Sequence, residues 1–181
     1  MRRFVFMALL LSFWSVALRG QGTAPESANT LLTAAKEKAS LEGKTVFLIF
    51  HASWCKWCHK LDSVLINPDV KKVIDKYFVV TRLDVMEVKE TEKHLENSGG
   101  EKMLSKFGGG KTGIPFYVFI DTKGKRVADS NVMPKKNNIG YPGSKAEIAA
   151  FKKLLKKTAP QMTAEDLSVV AGYFEKNTTK E

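Results

Sequence analysis

The chain has 181 residues, a formal net charge of +10 at pH 7 and 44% hydrophobic residues. This length accommodates one domain with a substantial apolar core and is too short for two domains of ordinary size. The lysines are spread through pairs along the chain, and the sequence has no basic tract with interleaved aromatic residues. The positive charge therefore indicates solvated surfaces, and we expect no nucleic-acid binding.

The first 20 residues have the features of a secretory signal peptide. Arg2 and Arg3 give a positive start, and the apolar run over residues 4–17 is followed by small residues. That run has about 14 residues, fewer than the roughly 20 that a membrane-spanning helix needs. We therefore expect cleavage between Ala17 and Gln21, export to the periplasm or out of the cell, and no stable membrane insertion afterwards. An uncleaved N-terminal anchor is the alternative.

The hydrophobic pattern behind this leader predicts alternating helices and strands. A helical pattern over residues 27–42 ends at Gly43, and the apolar run over 45–50 is typical of a central strand buried on both faces. Helical spacing begins again at Cys58 and at Pro68, the latter helix running to residue 76. Residues 77–85 are predicted to form a second buried strand.

The second half of the chain combines helices with a hairpin. Residues 86–107 are charged with sparse apolar positions and predict two short helical pieces. The hairpin pairs residues 116–120 with 125–128, and a long loop over 130–144 leads to helices at 145–157 and 164–176, the last capped by Thr163. A strand-helix-strand unit followed by a hairpin requires a mixed sheet, so we expect an α/β fold with helices on both faces.

Two cysteines, Cys55 and Cys58, stand three positions apart where the buried strand passes into a helix. A bridge across two intervening residues constrains the chain very little, so a redox or ligand role explains the pair better than a structural one. Cys55 falls at the helix N-terminus, where unpaired amides, the helix dipole and neighbouring Lys56 stabilise a thiolate. We therefore predict Cys55 as the nucleophile and Cys58 as the thiol that resolves the mixed disulfide.

Two segments resemble thioredoxin-like proteins. Residues 50–58, Phe-His-Ala-Ser-Trp-Cys-Lys-Trp-Cys, resemble the active-site strand and turn of that family, and Gly113-Ile114-Pro115 resembles its cis-proline segment. With the first strand and the hairpin, the resemblance covers about residues 45–129. It implies a thioredoxin fold in a single domain over 21–181 with its core at about 45–158, a helical insertion at 86–107 and an extra C-terminal helix.

Within the family, residues 67–70 and 78–85 are similar to a secreted branch that includes periplasmic reductase modules. The resemblance implies a thiol-disulfide oxidoreductase that exchanges disulfides with exported proteins or peptides, acting as a reductase with a second redox protein as partner. Lys56 favours the opposite direction, oxidation of substrates, because a stabilised Cys55 thiolate makes the disulfide a stronger oxidant. The two sulfurs carry the chemistry, so no cofactor and no metal is expected.

The resemblance also assigns the surroundings of the cysteine pair. Ile114 and Pro115 lie against it and offer backbone groups to an extended peptide substrate. Trp57 is predicted to form a flat apolar rim that receives the peptide, whereas Trp54 is predicted to pack at the junction of strand and helix. The segment Tyr141-Pro142-Gly143 is predicted to be a simple connection, with a loop that edges the site as the alternative.

The sequence departs from the family pattern at the group that handles the proton of Cys58. Ile49 stands where thioredoxins usually have a buried acid, and Lys56-Trp57 replaces the familiar Gly-Pro. His51, His59 and Asp62 are candidates for the proton acceptor, although an ordinary surface or turn role explains each of them more simply. The acceptor is therefore left open by the sequence.

Rival interpretations come from other classes of protein. Cys55, Cys58 and His59 spell the attachment site of a c-type haem, but the buried strand and the Gly-Ile-Pro segment are features of thioredoxins and not of cytochromes. Zinc is disfavoured, because two cysteines and one adjacent histidine fall short of four tetrahedral ligands. A non-enzymatic peptide-binding module with a passive disulfide is the remaining alternative.

Overall fold

The computed structural model describes residues 24–177. The predicted signal peptide over residues 1–20 lies outside the described residues. The helices are α1 Ala28–Glu42, α2 Lys56–Leu65, α3 Pro68–Tyr77, α4 Gly100–Phe107, α5 Lys145–Thr158 and α6 Ala164–Lys176, with short 3-10 helices at Glu90–Leu95 and Pro134–Lys136. The strands are β1 Thr45–His51, β2 Phe78–Asp84, β3 Phe116–Ile120 and β4 Arg126–Asp129.

The strands form one mixed sheet in the order β2-β1-β3-β4. β1 pairs in parallel with β2 and antiparallel with β3, and β3 pairs antiparallel with β4. The parallel pair is joined through α2 and α3, as a crossover connection requires, and the antiparallel pair is joined by a short turn. The predicted mixed sheet is confirmed.

β1 is buried on both faces because each face of the sheet carries helices. Phe47 and Ile49 point into a core that contains residues of α2, α3, α5 and α6. Val46, Leu48 and Phe50 alternate with them and point into a second core with residues of α1 and α4. Side chains alternate between the faces of a strand, so a central strand covered twice needs an unbroken apolar run.

The second strand, β2, is shorter and less buried than predicted. The sequence predicts a second buried strand over residues 77–85, but Tyr77 ends α3 and the strand proper is Phe78–Asp84. Within the described part of the chain β2 pairs with β1 alone and lies at the edge of the sheet, so Thr81 and Arg82 in its middle are half-exposed. The apolar ends of the strand, not its whole length, are buried.

The helices begin and end at residues whose chemistry favours caps. Gly43 ends α1 in the left-handed region at φ 64°, which a glycine adopts without steric cost. Asn67 caps α3 with its side-chain oxygen, and Pro68 occupies the first turn. Thr163 caps α6 through the amide of Asp166, as predicted.

The stretch between β2 and β3 contains two short helical pieces, as predicted: the 3-10 helix Glu90–Leu95 and α4. Asn97 connects this insertion to the body of the fold. Its Oδ1 accepts a hydrogen bond from the Asp84 amide at 2.7 Å, and its Nδ2 donates to the Glu26 carbonyl at 2.9 Å. The insertion is thereby held against the end of β2.

No helix among residues 24–177 is long and apolar enough to cross a membrane.

The C-terminal helix α6 shares an apolar core with α3, and one carboxylate, that of Asp166, adds a polar contact between the two helices. The hydroxyl of Tyr77 donates a hydrogen bond to Asp166, and Lys76 lies 3.2 Å from the same carboxylate oxygen. These partners, the Tyr77 hydroxyl first, lower the pKa of Asp166 to about 2.

We expect Asp166→Asn to lower the free energy of unfolding at neutral pH, because the neutral amide loses the charge that Tyr77 and Lys76 stabilise. The pKa of Asp166 is depressed in the folded state, so this stability is complete above the unfolded value of about 3.9 and is lost as the pH falls through about 2. In urea unfolding, the difference from wild type should be constant between about pH 7 and 5 and should shrink below about pH 4.

Glu165→Gln is the matched control, because Glu165 is an exposed acid in the same first turn of α6. The difference in free energy of unfolding between Glu165→Gln and wild type should not shrink as the pH falls. An Asp166→Asn difference that stays constant down to about pH 3 would contradict a role for the charge of Asp166.

Candidate active site

The cysteine pair lies on the turn between β1 and α2. Cys55 is the N-cap of α2, and its sulfur accepts a hydrogen bond from the Cys58 amide at 3.2 Å. The two residues are joined by a disulfide, with their Cα atoms 5.2 Å apart. The expected position of Cys55 at the helix N-terminus is confirmed, and an amide already points at its sulfur, where it would stabilise a thiolate.

Both cysteines are largely covered by their neighbours. Cys55 is 4% exposed and Cys58 is 1% exposed, and they pack with Ala52 and Ile114. Cys55 is the more accessible of the two and begins the helix, whereas Cys58 lies within its first turn. This arrangement fits the predicted order of reaction, in which an incoming disulfide meets Cys55 first.

The segment before β3 lies directly beside the pair. The Ile114–Pro115 peptide bond is cis, as the resemblance implies, and the sulfur of Cys55 is 3.6 Å from the Ile114 carbonyl oxygen. One side chain secures this segment. The Nδ2 group of Asn138 lies 2.9 Å from the Pro115 carbonyl and 3.1 Å from that of Gly113.

A cleft of about 520 Å³ opens beside the cis-proline segment. Trp57 and Tyr141 form one wall of this cleft, with their rings stacked at 5.7 Å between centroids. Lys60 lies over the Trp57 ring at 4.5 Å from its centroid. The alternative for this segment, a loop that edges the site, describes Tyr141 correctly, and the prediction of a simple connection is wrong. The Tyr141 ring extends the apolar surface that Trp57 begins.

Trp54 differs from its predicted packing role. Its side chain is 45% exposed, close to the 48% of Trp57, and its Nε1 donates to the Met86 carbonyl at 2.8 Å. The residue therefore has a fixed orientation without being buried. Each cysteine of the pair is thus directly preceded by a tryptophan whose side chain is substantially exposed.

Ile49 is buried on β1 and has no acidic group to offer to Cys58. A cluster of charged side chains lies farther along the same face, at the ends of β1 and β2. His51 Nε2 lies 3.2 Å from Asp84, its Nδ1 lies 3.8 Å from Asp62, and Arg82 donates to Asp62 at 2.5 Å. Burial raises the pKa of Asp84, and the nearby His51 opposes that change.

These contacts locate the three candidate proton acceptors. Asp62 follows Cys58 by one helical turn and is paired with Arg82, and His51 lies between two aspartates. His59 instead points to the turn, with its Nε2 at 2.6 Å from the Ser53 carbonyl. The structure thus groups Asp62 with His51 and separates His59 from them.

Glu87 is a residue of the site that sequence reasoning missed. It is 1% exposed, and its two carboxylate oxygens accept hydrogen bonds from the Ser53 amide at 2.6 Å and the Ser53 hydroxyl at 2.7 Å. It stands in a charged stretch of low hydrophobicity, which by itself predicts solvent exposure. No local pattern distinguishes this glutamate from Glu90 or Glu92.

Among residues 24–177, no group of three or more histidine, cysteine, aspartate or glutamate side chains is placed to hold a metal ion.

The cis-proline segment, the strand β1 and the cysteine turn all fall within the region that a family comparison identifies. A thioredoxin-like family model matches residues 28–122. The chain belongs to the thioredoxin-like family. It has the fold and the Cys-x-x-Cys pair of the family's disulfide oxidoreductases, in the disulfide form.

Solved structures of thioredoxin-like proteins are similar in fold. A disulphide isomerase from Xylella fastidiosa Temecula1 is 22% identical, with a TM-score of 0.50, over 90% of this chain and 100% of its own. A DsbH oxidoreductase is 24% identical, with a TM-score of 0.49, over 76% of this chain and 84% of its own. The oxidised C-terminal domain of DsbD from Neisseria meningitidis is 23% identical, with a TM-score of 0.39, over 59% of this chain and 84% of its own. No curated protein matches the chain in sequence.

We expect Asn138→Ala to lower the free energy of unfolding by about 1–3 kcal/mol, because the buried Pro115 carbonyl loses its hydrogen-bond donor. Asn137→Ala removes the same amide group from an exposed neighbour, and its effect should stay within about 0.5 kcal/mol. Urea unfolding measures both. Equal stability of the two variants would show that the Asn138 side chain does not secure the cis-proline segment.

Proposed function

We propose that this thioredoxin-like protein exchanges disulfides with exported protein substrates, with Cys55 as the nucleophile and Cys58 as the resolving thiol. The observation that carries the proposal is the position of the Cys55 sulfur at the N-terminus of α2, with the Cys58 amide directed at it and Cys58 within bonding reach. A thiolate is stabilised where the helix dipole and a free amide meet.

The proposed reaction is a sequence of two thiolate attacks. The thiolate of reduced Cys55 attacks one sulfur of a substrate disulfide, forms a mixed disulfide and releases the other substrate sulfur as a thiolate. The thiolate of Cys58 then attacks the Cys55 sulfur, closes the Cys55–Cys58 disulfide and releases the second substrate thiolate. Two electrons pass to the substrate, and the two protons given up by the cysteines end on its thiols.

Substrate access is assigned to the cleft beside the pair. Ile114 and Pro115 would present backbone groups to an extended peptide, and Trp57 would contact its side chains. The proximity of the Ile114 carbonyl to the Cys55 sulfur, at 3.6 Å, supports this placement. Lys56 adds a positive charge next to Cys55 and would favour its thiolate.

We infer that the net direction is reduction of substrates, with a dithiol partner protein returning Cys55 and Cys58 to the thiol form. The similarity of residues 67–70 and 78–85 to periplasmic reductase modules supports this direction and an exported location. The haem alternative loses support, because both sulfurs are covered by neighbouring residues and the His59 ring is directed at the Ser53 carbonyl.

The reduction potential of the purified mature protein tests the proposed direction. Glutathione titration with tryptophan fluorescence as the readout suits this protein, because Trp54 directly precedes Cys55 and Trp57 directly precedes Cys58. We expect a reversible two-electron transition below about −220 mV, whereas a transition near −120 mV would identify an oxidant. A haem band in the visible spectrum, or the absence of any transition, would overturn the proposed function.

The order of attack is tested by replacing each cysteine in turn. Cys58→Ser should accumulate a mixed disulfide with a disulfide-containing protein such as insulin, because the thiol that resolves it is missing. Cys55→Ser should form little adduct, since Cys58 is 1% exposed. Non-reducing electrophoresis with mass spectrometry measures both. More adduct in Cys55→Ser than in Cys58→Ser would reverse the assigned roles. If wild type shows no disulfide exchange and Cys55→Ser binds peptide as tightly as wild type, the protein is a binding module.

A further inference from the structure

We propose that Glu87 is a positioning residue that sets the redox balance of the cysteine pair: its carboxylate fixes the turn before Cys55, and its negative charge favours the disulfide over the dithiol. The inference rests on the proposed function, because it concerns the same pair of sulfurs. Glu87 lies outside the cysteine motif and outside the cis-proline segment.

The contacts of Glu87 join the end of β2 to the turn that carries the cysteines. Both carboxylate oxygens accept hydrogen bonds from Ser53, from its amide at 2.6 Å and from its hydroxyl at 2.7 Å. Ser53 precedes Cys55 by two residues. An acceptor that holds two donors of one residue fixes the position and orientation of the turn at that point.

Neighbouring bonds hold Glu87 itself in place. Its amide donates to the Glu96 carboxylate at 2.7 Å, and the adjacent Met86 carbonyl accepts from the Trp54 indole at 2.8 Å. One residue earlier, the Val85 amide donates to the His51 carbonyl at 2.9 Å and extends the pairing of β2 with β1. Glu87 therefore stands in a segment whose backbone is hydrogen-bonded at three successive residues, Val85, Met86 and Glu87.

The charge of Glu87 is less compensated than that of the acids around it. Glu92 and Glu96 are paired with Lys89 and Lys93 at 3.0 Å and 2.9 Å. Among residues 24–177, no lysine, arginine or histidine forms an ion pair with Glu87, which is 1% exposed. Two hydrogen-bond donors from Ser53 satisfy the carboxylate in its ionised form.

Other charged groups face this region from the surrounding elements. Glu92 lies 3.3 Å from the Ser53 hydroxyl, on the 3-10 helix, and His59 on α2 contacts the Ser53 carbonyl. Asp84 at the end of β2 is close enough to Glu87 for that charge to help raise the pKa of Asp84. Lys56 follows Cys55 and is exposed, so solvent screens it more than it screens Glu87.

The sign of the effect follows from the charges of the two redox forms. Reducing the disulfide consumes two electrons and two protons, and the dithiol can give one proton back at Cys55 to become a thiolate. A nearby negative charge disfavours that thiolate but leaves the neutral disulfide unaffected. The Glu87 carboxylate therefore makes the dithiol a stronger reductant, which is the direction inferred for this protein.

Glu87→Gln tests the charge separately from the shape of the site. The amide has nearly the size of the carboxylate and retains one oxygen to accept the Ser53 amide. We expect the pH midpoint of the Cys55 thiolate, followed by ultraviolet absorbance and alkylation rate, to fall by about one unit. At a pH above the midpoint of the wild-type thiolate, the equilibrium of the variant with glutathione should shift about tenfold towards the dithiol, equivalent to about 30 mV.

Two further variants isolate the charge effect. Glu90→Gln removes an exposed acid from the same segment and should leave both the thiolate midpoint and the glutathione equilibrium unchanged. Ser53→Ala removes the hydroxyl donor and keeps the Glu87 charge, so it should lower the free energy of unfolding without shifting the equilibrium towards the dithiol.

The outcomes separate this inference from the proposed function. If wild type undergoes the two-electron transition and folded Glu87→Gln keeps the wild-type equilibrium within about twofold, the inference is overturned and the proposed function stands. A shift of Glu90→Gln equal to that of Glu87→Gln would also overturn it, because the effect would then be general. A wild-type protein without any transition would overturn both.

Discussion

The architecture of the site depends on the burial of β1 on both faces of the sheet. Because helices cover both sides, the strand cannot shift its register without moving apolar side chains such as Phe47 and Phe50 out of one core and into the other. The position of the turn that follows β1 is fixed by the same register. Cys55 therefore starts α2 at a fixed point, with its sulfur against the Cys58 amide.

Two segments from distant parts of the sequence hold this turn from different sides. The cis-proline segment contacts the Cys55 sulfur and is itself held by Asn138. The segment after β2 contacts Ser53 and Trp54 through Glu87 and Met86. Each contact uses a main-chain group of one side or the other, so the position of the turn depends on the fold of the whole sheet and not on local residues alone.

Much of this arrangement could be predicted from the sequence, because it depends on local patterns. The apolar run of β1, the caps of the helices and the position of Cys55 follow from periodicity and short-range chemistry. The edge position of β2, the stacking of Tyr141 on Trp57 and the burial of Glu87 depend on which segments meet in space. A buried glutamate in a charged stretch has the same sequence pattern as an exposed one, so its role emerges only once Ser53 is beside it.

The two sides of the turn differ in chemistry, and this difference separates two tasks. The side of Trp57 and Tyr141 offers stacked rings and a cleft, which suits contact with substrate side chains. On the other side, the Glu87 carboxylate is 1% exposed and accepts the amide of Ser53, and in its proposed role its charge disfavours the Cys55 thiolate. In the proposed function, substitutions at Trp57 or Tyr141 would alter which peptides bind. Ile114, which also lines the cleft, lies at the Cys55 sulfur and would affect both tasks. A substitution of the buried Glu87 would change the redox balance of the sulfurs without touching the cleft directly, because none of its hydrogen bonds among the described residues reaches a cleft residue.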